Sequence, residues 1–157
     1  MRIATLAVAA ILLGAGCSKQ VKVVTDPNTG RTDVDFQKVN VPEVWTGTLS
    51  PVGGSGIAGA ATGTTANDST HVTLNITGGQ PGSTLPWHVH DGKCGDASAP
   101  VAGPGSAYPP LVVGSDGRAS ATAHVAVKLN EARNYIVNVH ASPTNMGTIV
   151  SCGDFND

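Results

Sequence analysis

Residues 85–94 read LPWHVHDGKC. In an extended strand successive side chains point to opposite faces, so Leu85, Trp87 and Val89 line an apolar face while His88 and His90 project together from the other. Two imidazoles side by side on a strand are half of a metal site. The other segment with the same design is Tyr135–His140, YIVNVH, in which Tyr135, Val137 and Val139 face inward and His140, at the strand's end, faces outward. This pattern predicts that His88, His90 and His140 converge on the outer wall of a sheet whose inner wall is core. Three imidazoles with no cysteine among them suit copper or zinc.

The surrounding sequence has the same texture. From Glu43 onward, short alternating runs are separated by glycine-rich turns: VWTGTLS, SGIAGAATGTT, HVTLNITG, LPWHVH, PLVVGSDG, RASATAHVAVKL, NYIVNVH and MGTIVSC. None carries a sustained 3.6-residue period, which predicts an all-β sandwich or barrel. Ser115–Gly117, SDG, reads as a hairpin turn between two of the strands. Gly95 to Pro110, GDASAPVAGPGSAYPP, is too rich in proline, glycine and alanine to be a strand, and loops of this length in a small domain are functional or disordered. Held at its start, it is expected to lie over the histidine face.

Ahead of the strands, Met1–Gly16 reads as a lipoprotein signal peptide, the first of three expected regions: Arg2, an apolar run Ile3–Leu13, then GAG before Cys17. Cys17 is then the acylated first residue of the mature chain, with a plain secretory signal or anchor as the other reading. The apolar run is shorter than the about 20 residues that a membrane-spanning helix needs. Either leader places the protein outside the cytoplasm, in the cell envelope on the periplasmic or extracellular side. Ser18, rather than aspartate, after the cysteine favours the outer membrane where a cell has two. Residues 17–42 are expected as a tether, although Val21, Val23, Val24, Val34 and Phe36 around a Pro-Asn-Thr-Gly turn also allow a small hairpin. Residues 43–157 form the domain proper.

With Cys17 assigned to lipid, Cys94 and Cys152 are left as a pair in an oxidising compartment, where such a pair forms a disulfide. Thiolate ligation of a metal is the alternative at this point. A formal net charge of -2 with no basic or acidic block gives no support for nucleic acid as partner. With few aromatic residues and 20 glycines, the core has to be built of valine, alanine, leucine and isoleucine.

In combination HVH followed by GKCG, the later VNVHASP and the terminal SCG resemble the copper,zinc superoxide dismutases, in which these motifs occur in this order. ITGGQPG and GSDGRASA extend the resemblance to about Val44–Gly153. It implies an eight-stranded Greek-key barrel, His88, His90 and His140 as three copper ligands, and Cys94–Cys152 as the family's disulfide. The departures are equally specific. The family's bridging histidine has no counterpart in Gly95–Pro110, Ala107 stands about where a zinc-binding aspartate falls, and Ile149 replaces an arginine. The segment between Met146 and Cys152 is too short for the family's charged guiding loop. The sequence therefore implies copper rather than zinc, with superoxide or copper ions as the partners to test. Two function classes follow: a copper-only superoxide dismutase, or a non-catalytic copper-binding protein on the same scaffold.

The remaining polar residues are read plainly. His71 and His124 are expected on an exposed polar strand face. Asp91 is either the partner of a ligand histidine's second nitrogen or a turn residue beside Gly92. Lys93 is the only basic side chain near the histidine strand in sequence, and Trp45 and Trp87 are expected to pack in the core or at an edge.

Overall fold

The computed structural model describes residues 19–26, 28–38, 42–96 and 98–157, so the proposed leader and Cys17 lie outside the described residues. The chain divides at Val41/Pro42 into two units. In the first, β1 (Lys19–Thr25) and β2 (Thr32–Lys38) pair antiparallel. The stretch expected as a tether therefore carries a hairpin, the other arrangement its turn residues allow. The Asp26 carboxylate accepts the Asn28 N–H at 2.8 Å, and Gly30 takes the left-handed conformation at φ 66°, which glycine adopts without steric penalty.

The second unit is all β. Its strands are β3 (Glu43–Pro51), β4 (Ala58–Ala66), β5 (Ser69–Thr77), β6 (Thr84–Leu85), β7 (Trp87–Asp91), β8 (Leu111–Val112), β9 (Ala119–Val125), β10 (Tyr135–Ser142) and β11 (Asn145–Phe155). Seven of them form one curled antiparallel sheet in the order β7-β10-β11-β3-β4-β5-β9. The short pair β6-β8 stands apart from it, with β6 beside β10 and β8 beside β9. The eight-stranded barrel of the sequence reading is thus a seven-stranded half-barrel plus a two-stranded pair lying beside β10 and β9. The SDG turn is present, closed by Gly114 N–H to the Arg118 carbonyl at 2.8 Å, but β8 pairs with β6 and not with β9.

Alternation accounts for the core. Trp45 and Leu49 from β3, Val72, Leu74 and Ile76 from β5, Trp87 and Val89 from β7, and Tyr135, Val137 and Val139 from β10 all belong to one buried cluster, together with Phe155. Trp45 meets Tyr135 edge-on, with ring centroids 5.5 Å apart. Bulky rings and branched side chains fill the curled sheet's concave face and leave small residues where strands crowd. At Gly153 a Cβ would run into the Thr48 carbonyl of β3, so close approach of β11 to β3 requires glycine there.

Ile136 of β10, Ala99 and Cys152 are also buried but lie outside that cluster. Ile136 sits opposite His90 in the register, on the outer face. A second, smaller buried layer therefore exists on the wall that carries the histidines.

Candidate metal centre

β7 and β10 are neighbours in the sheet although β8 and β9 separate them in sequence. Their register sets His88 opposite Asn138 and His90 opposite Ile136, which brings His140, two residues beyond Asn138 on the same face, diagonally beside His88. A β-bulge falls at this point, because the β10–β11 register shifts between Val139 and His140. Bulges re-aim side chains and recur next to functional sites. The result is a group of His88, His90 and His140 whose ligand-capable nitrogens all lie within 4.8 Å of one another. The three residues named from sequence are the three that the fold brings together.

The hydrogen bonds decide which nitrogens are available. His90 Nδ1–H donates to the Ala99 carbonyl at 2.8 Å, and His140 Nδ1–H donates to the Met146 carbonyl at 2.6 Å. Both rings are thereby fixed with Nε2 as the acceptor nitrogen turned towards the group, the usual outer arrangement of a metal-bound histidine. His90 Nε2 is buried without a hydrogen-bond partner, an arrangement that leaves a desolvated acceptor unsatisfied until something occupies it. His140 Nε2 lies 3.1 Å from His88 Nδ1. In the metal-free protein the His88 Nδ1–H is the donor of that bond; a tautomer change of this one ring would free a third lone pair.

The three histidines present fit a metal ion. Three imidazoles are a donor set for copper, zinc or nickel. An ion about 2.0–2.1 Å from each nitrogen needs them about 3.5 Å apart, so the widest separation has to close by roughly 1 Å, within reach of small ring rotations. Burial also disfavours the charged form of two of the rings, His88 and His140. His88 has its pKa pushed down to about 4, first by burial and then by His140 and His90. Burial likewise lowers that of His140, against the opposing effect of its bond to the Met146 carbonyl.

The loop after β7 covers this face, as expected. It is stitched down by Asp91 N–H to the Pro100 carbonyl at 2.9 Å, Ala102 N–H to the Val89 carbonyl at 2.8 Å, and the Trp87 indole N–H to the Pro109 carbonyl at 2.8 Å. Its Tyr108 stands edge-on to both Trp87 and His88, each with centroids 5.2 Å away. The Tyr108 hydroxyl donates to the Ala102 carbonyl at 2.7 Å, and burial pushes its pKa up to about 12. Gly92 allows the loop to turn back, since a Cβ there would come within 2.7 Å of Ala99 Cβ. The Cys94–Cys152 disulfide, Cα atoms 6.0 Å apart, anchors the start of the loop to β11, so the two cysteines are joined to each other and not offered to a metal.

Beside the histidines a cavity of about 440 Å³ is lined by the disulfide, Val52, Gly95, Asp96, Asn138 and Ile149. Ile149 is the register partner of His140, so the cavity adjoins the triad. Asn138 is 5% exposed and its Oδ1 has no hydrogen-bond partner. The wall is mostly apolar, with no lysine or arginine among its residues.

The neighbouring charges point elsewhere. Asp91 is ion-paired with Arg133, while the His90 and His140 rings are held by the Ala99 and Met146 carbonyls and the His88 Nδ1 by His140, so none of these bonds goes to Asp91. Lys93 lines a different cleft with Asn134, Tyr135, Asp154 and Asn156, at the opposite end of β10 from His140. Trp45 and Trp87 are fully buried, and His71 and His124 are exposed.

The sequence reading missed Ala99, Met146, Asn138 and Tyr108. Carbonyl partners leave no trace in residue identity, whereas Tyr108, a lone aromatic in a loop of small residues, is a signal that could have been read. No protein-family model matches the chain, and no curated protein matches it either.

Proposed function

We propose that this is a copper-binding protein of the cell envelope, similar in design to the copper,zinc superoxide dismutases, with copper held by His88, His90 and His140 and the chain carried on a lipid at Cys17. The observation that carries the reading is the buried, unpartnered Nε2 of His90 beside two further imidazoles within 4.8 Å, each ring kept neutral or oriented by its surroundings. Copper bound there would supply one-electron exchange with superoxide, one superoxide being oxidised to dioxygen and a second reduced, with two protons from solvent, to hydrogen peroxide. His90 and His140 hold fixed tautomers through the Ala99 and Met146 carbonyls, Tyr108 limits the mobility of His88, and the disulfide-tethered loop screens the face from bulk water.

A second reading, a copper-holding protein without catalysis, is favoured by the electrostatics. Superoxide is an anion, and its capture is accelerated by positive charge near the metal. Ile149 stands in the cavity next to His140, Arg133 is committed to Asp91 and Lys93 lies in another cleft.

The deciding experiment is superoxide consumption by the copper-loaded domain, with copper content determined, beside a His88→Ala, His140→Ala double variant. One copper per chain that the double variant lacks, with activity well above that of free copper that is also lost in the variant, supports the dismutase. Stoichiometric copper without activity supports the holding protein. Equal copper content in wild type and double variant overturns both.

A further inference from the structure

Outside the triad, the fold also brings two further histidines together. His71 of β5 and His124 of β9 are 53 positions apart in sequence and directly opposite in the register. Their rings face each other at 82° with centroids 4.3 Å apart. Both residues are exposed, on the convex, solvent-facing side of the sheet, since their strand neighbours Val72 and Ala123 belong to the core cluster. Next along the same face, the Thr73 and Thr122 hydroxyls hydrogen-bond at 2.9 Å, so the two strands are held in register at this point. The pair is remote from the triad in the strand order: β9 is one edge of the sheet and β7 the other.

We propose that His71 and His124 form a second metal site, a surface two-histidine chelate for a divalent transition ion, with copper(II) bound in preference to zinc or nickel. Directly opposed residues on antiparallel strands have Cβ atoms about 4.5–5.5 Å apart, so two imidazoles can present one nitrogen each to a single ion while water fills the remaining positions. Imidazole donors suit copper, zinc and nickel, and the affinity order among divalent ions peaks at copper(II). The strands supply the pre-organisation: after one ring binds, the second is held at a high effective concentration beside the ion. Because β9 is an edge strand, an ion here also ties that edge to β5. The site does not depend on the triad's function.

The test is a copper(II) count by equilibrium dialysis of the full chain at buffered micromolar free copper, comparing wild type with His71→Ala, His124→Ala and the double variant, with circular dichroism to confirm the fold. Wild type is expected to hold one copper more than the double variant. Either single substitution is expected to weaken that copper by roughly 100-fold, the loss of an intramolecular second ligand. If the triad binds copper, the counts are two and one; if it does not, they are one and none, and the difference remains. Equal counts in wild type and double variant overturn the proposal. So does a single variant that keeps the extra copper within a few-fold of wild-type affinity, since one imidazole would then suffice.

Discussion

At the scale of single residues, His90 and His140 are oriented by backbone carbonyls, and burial lowers the pKa of His88 and His140. His90→Ala is expected to hold one copper fewer per chain than wild type, checked by dialysis and metal analysis. The metal-free protein should change by only about 1–3 kcal/mol, the range for losing one buried hydrogen bond to the Ala99 carbonyl, as read from urea unfolding. His88 gives a pH prediction. Its folded pKa is depressed to about 4, so between an unfolded value of about 6.5 and 4 the unfolded chain takes up a proton that the folded chain refuses. Its contribution to stability is therefore complete above about pH 6.5 and is lost as pH falls towards 4. Urea midpoints of the metal-free protein at pH 7.5 and 4.5 should fall less for His88→Gln than for wild type; an equal fall sinks the assignment. All three ligand positions were legible from HVH and YIVNVH because strand alternation fixes a side chain's face. Their outer partners were not, because any residue's carbonyl can accept a hydrogen bond, and position is decided by the path of the loop.

At the scale of elements, the loop from Gly92 to Pro110 is the device that completes the site. Gly92→Ala would place a Cβ 2.7 Å from Ala99 Cβ and displace the carbonyl that holds His90. Copper affinity should fall by about 10–100-fold, the usual effect of disturbing a ligand's outer partner, with the ligands themselves intact. Unchanged affinity in a copper titration would remove the Ala99 carbonyl from the account. The disulfide closes a 58-residue separation, for which the chain-entropy picture gives about 4 kcal/mol. A Cys94→Ser, Cys152→Ser variant should lose roughly 2–4 kcal/mol in urea unfolding and bind copper more weakly, because the loop's start is no longer anchored to β11. Strand boundaries were readable from alternation and glycine-rich turns. That β8 would pair with β6 was not, since two-residue strands carry no period, and only the neighbours' edges decide what they meet.

At the scale of the whole molecule, the second unit is a curled sheet with a core on its concave side and chemistry on its convex side. Binding that occurs only in the folded state stabilises by mass action, about 2.7 kcal/mol at a free-ligand concentration of 100 times Kd. Copper should raise the thermal midpoint of wild type and have a much smaller effect on the His88→Ala, His140→Ala variant, measured by circular dichroism. With a net charge of -2 and no cation lining the cavity beside the triad, superoxide consumption under the dismutase reading should vary by less than about twofold from low to physiological ionic strength. A steep decline with salt would show that guiding charge is present.

The sequence by itself determined the all-β class, the inward and outward faces of β7 and β10, and the identity of the three imidazoles, because the two-residue period of a strand is a local property. Only the tertiary structure decided that the histidines share one site, that Asp91 turns to Arg133, that the ligand rings lean on Ala99 and Met146, and that His71 meets His124. Those facts depend on strand order, register and a one-residue bulge. All three are set by how distant segments bury their apolar faces together, which no local stretch of sequence encodes.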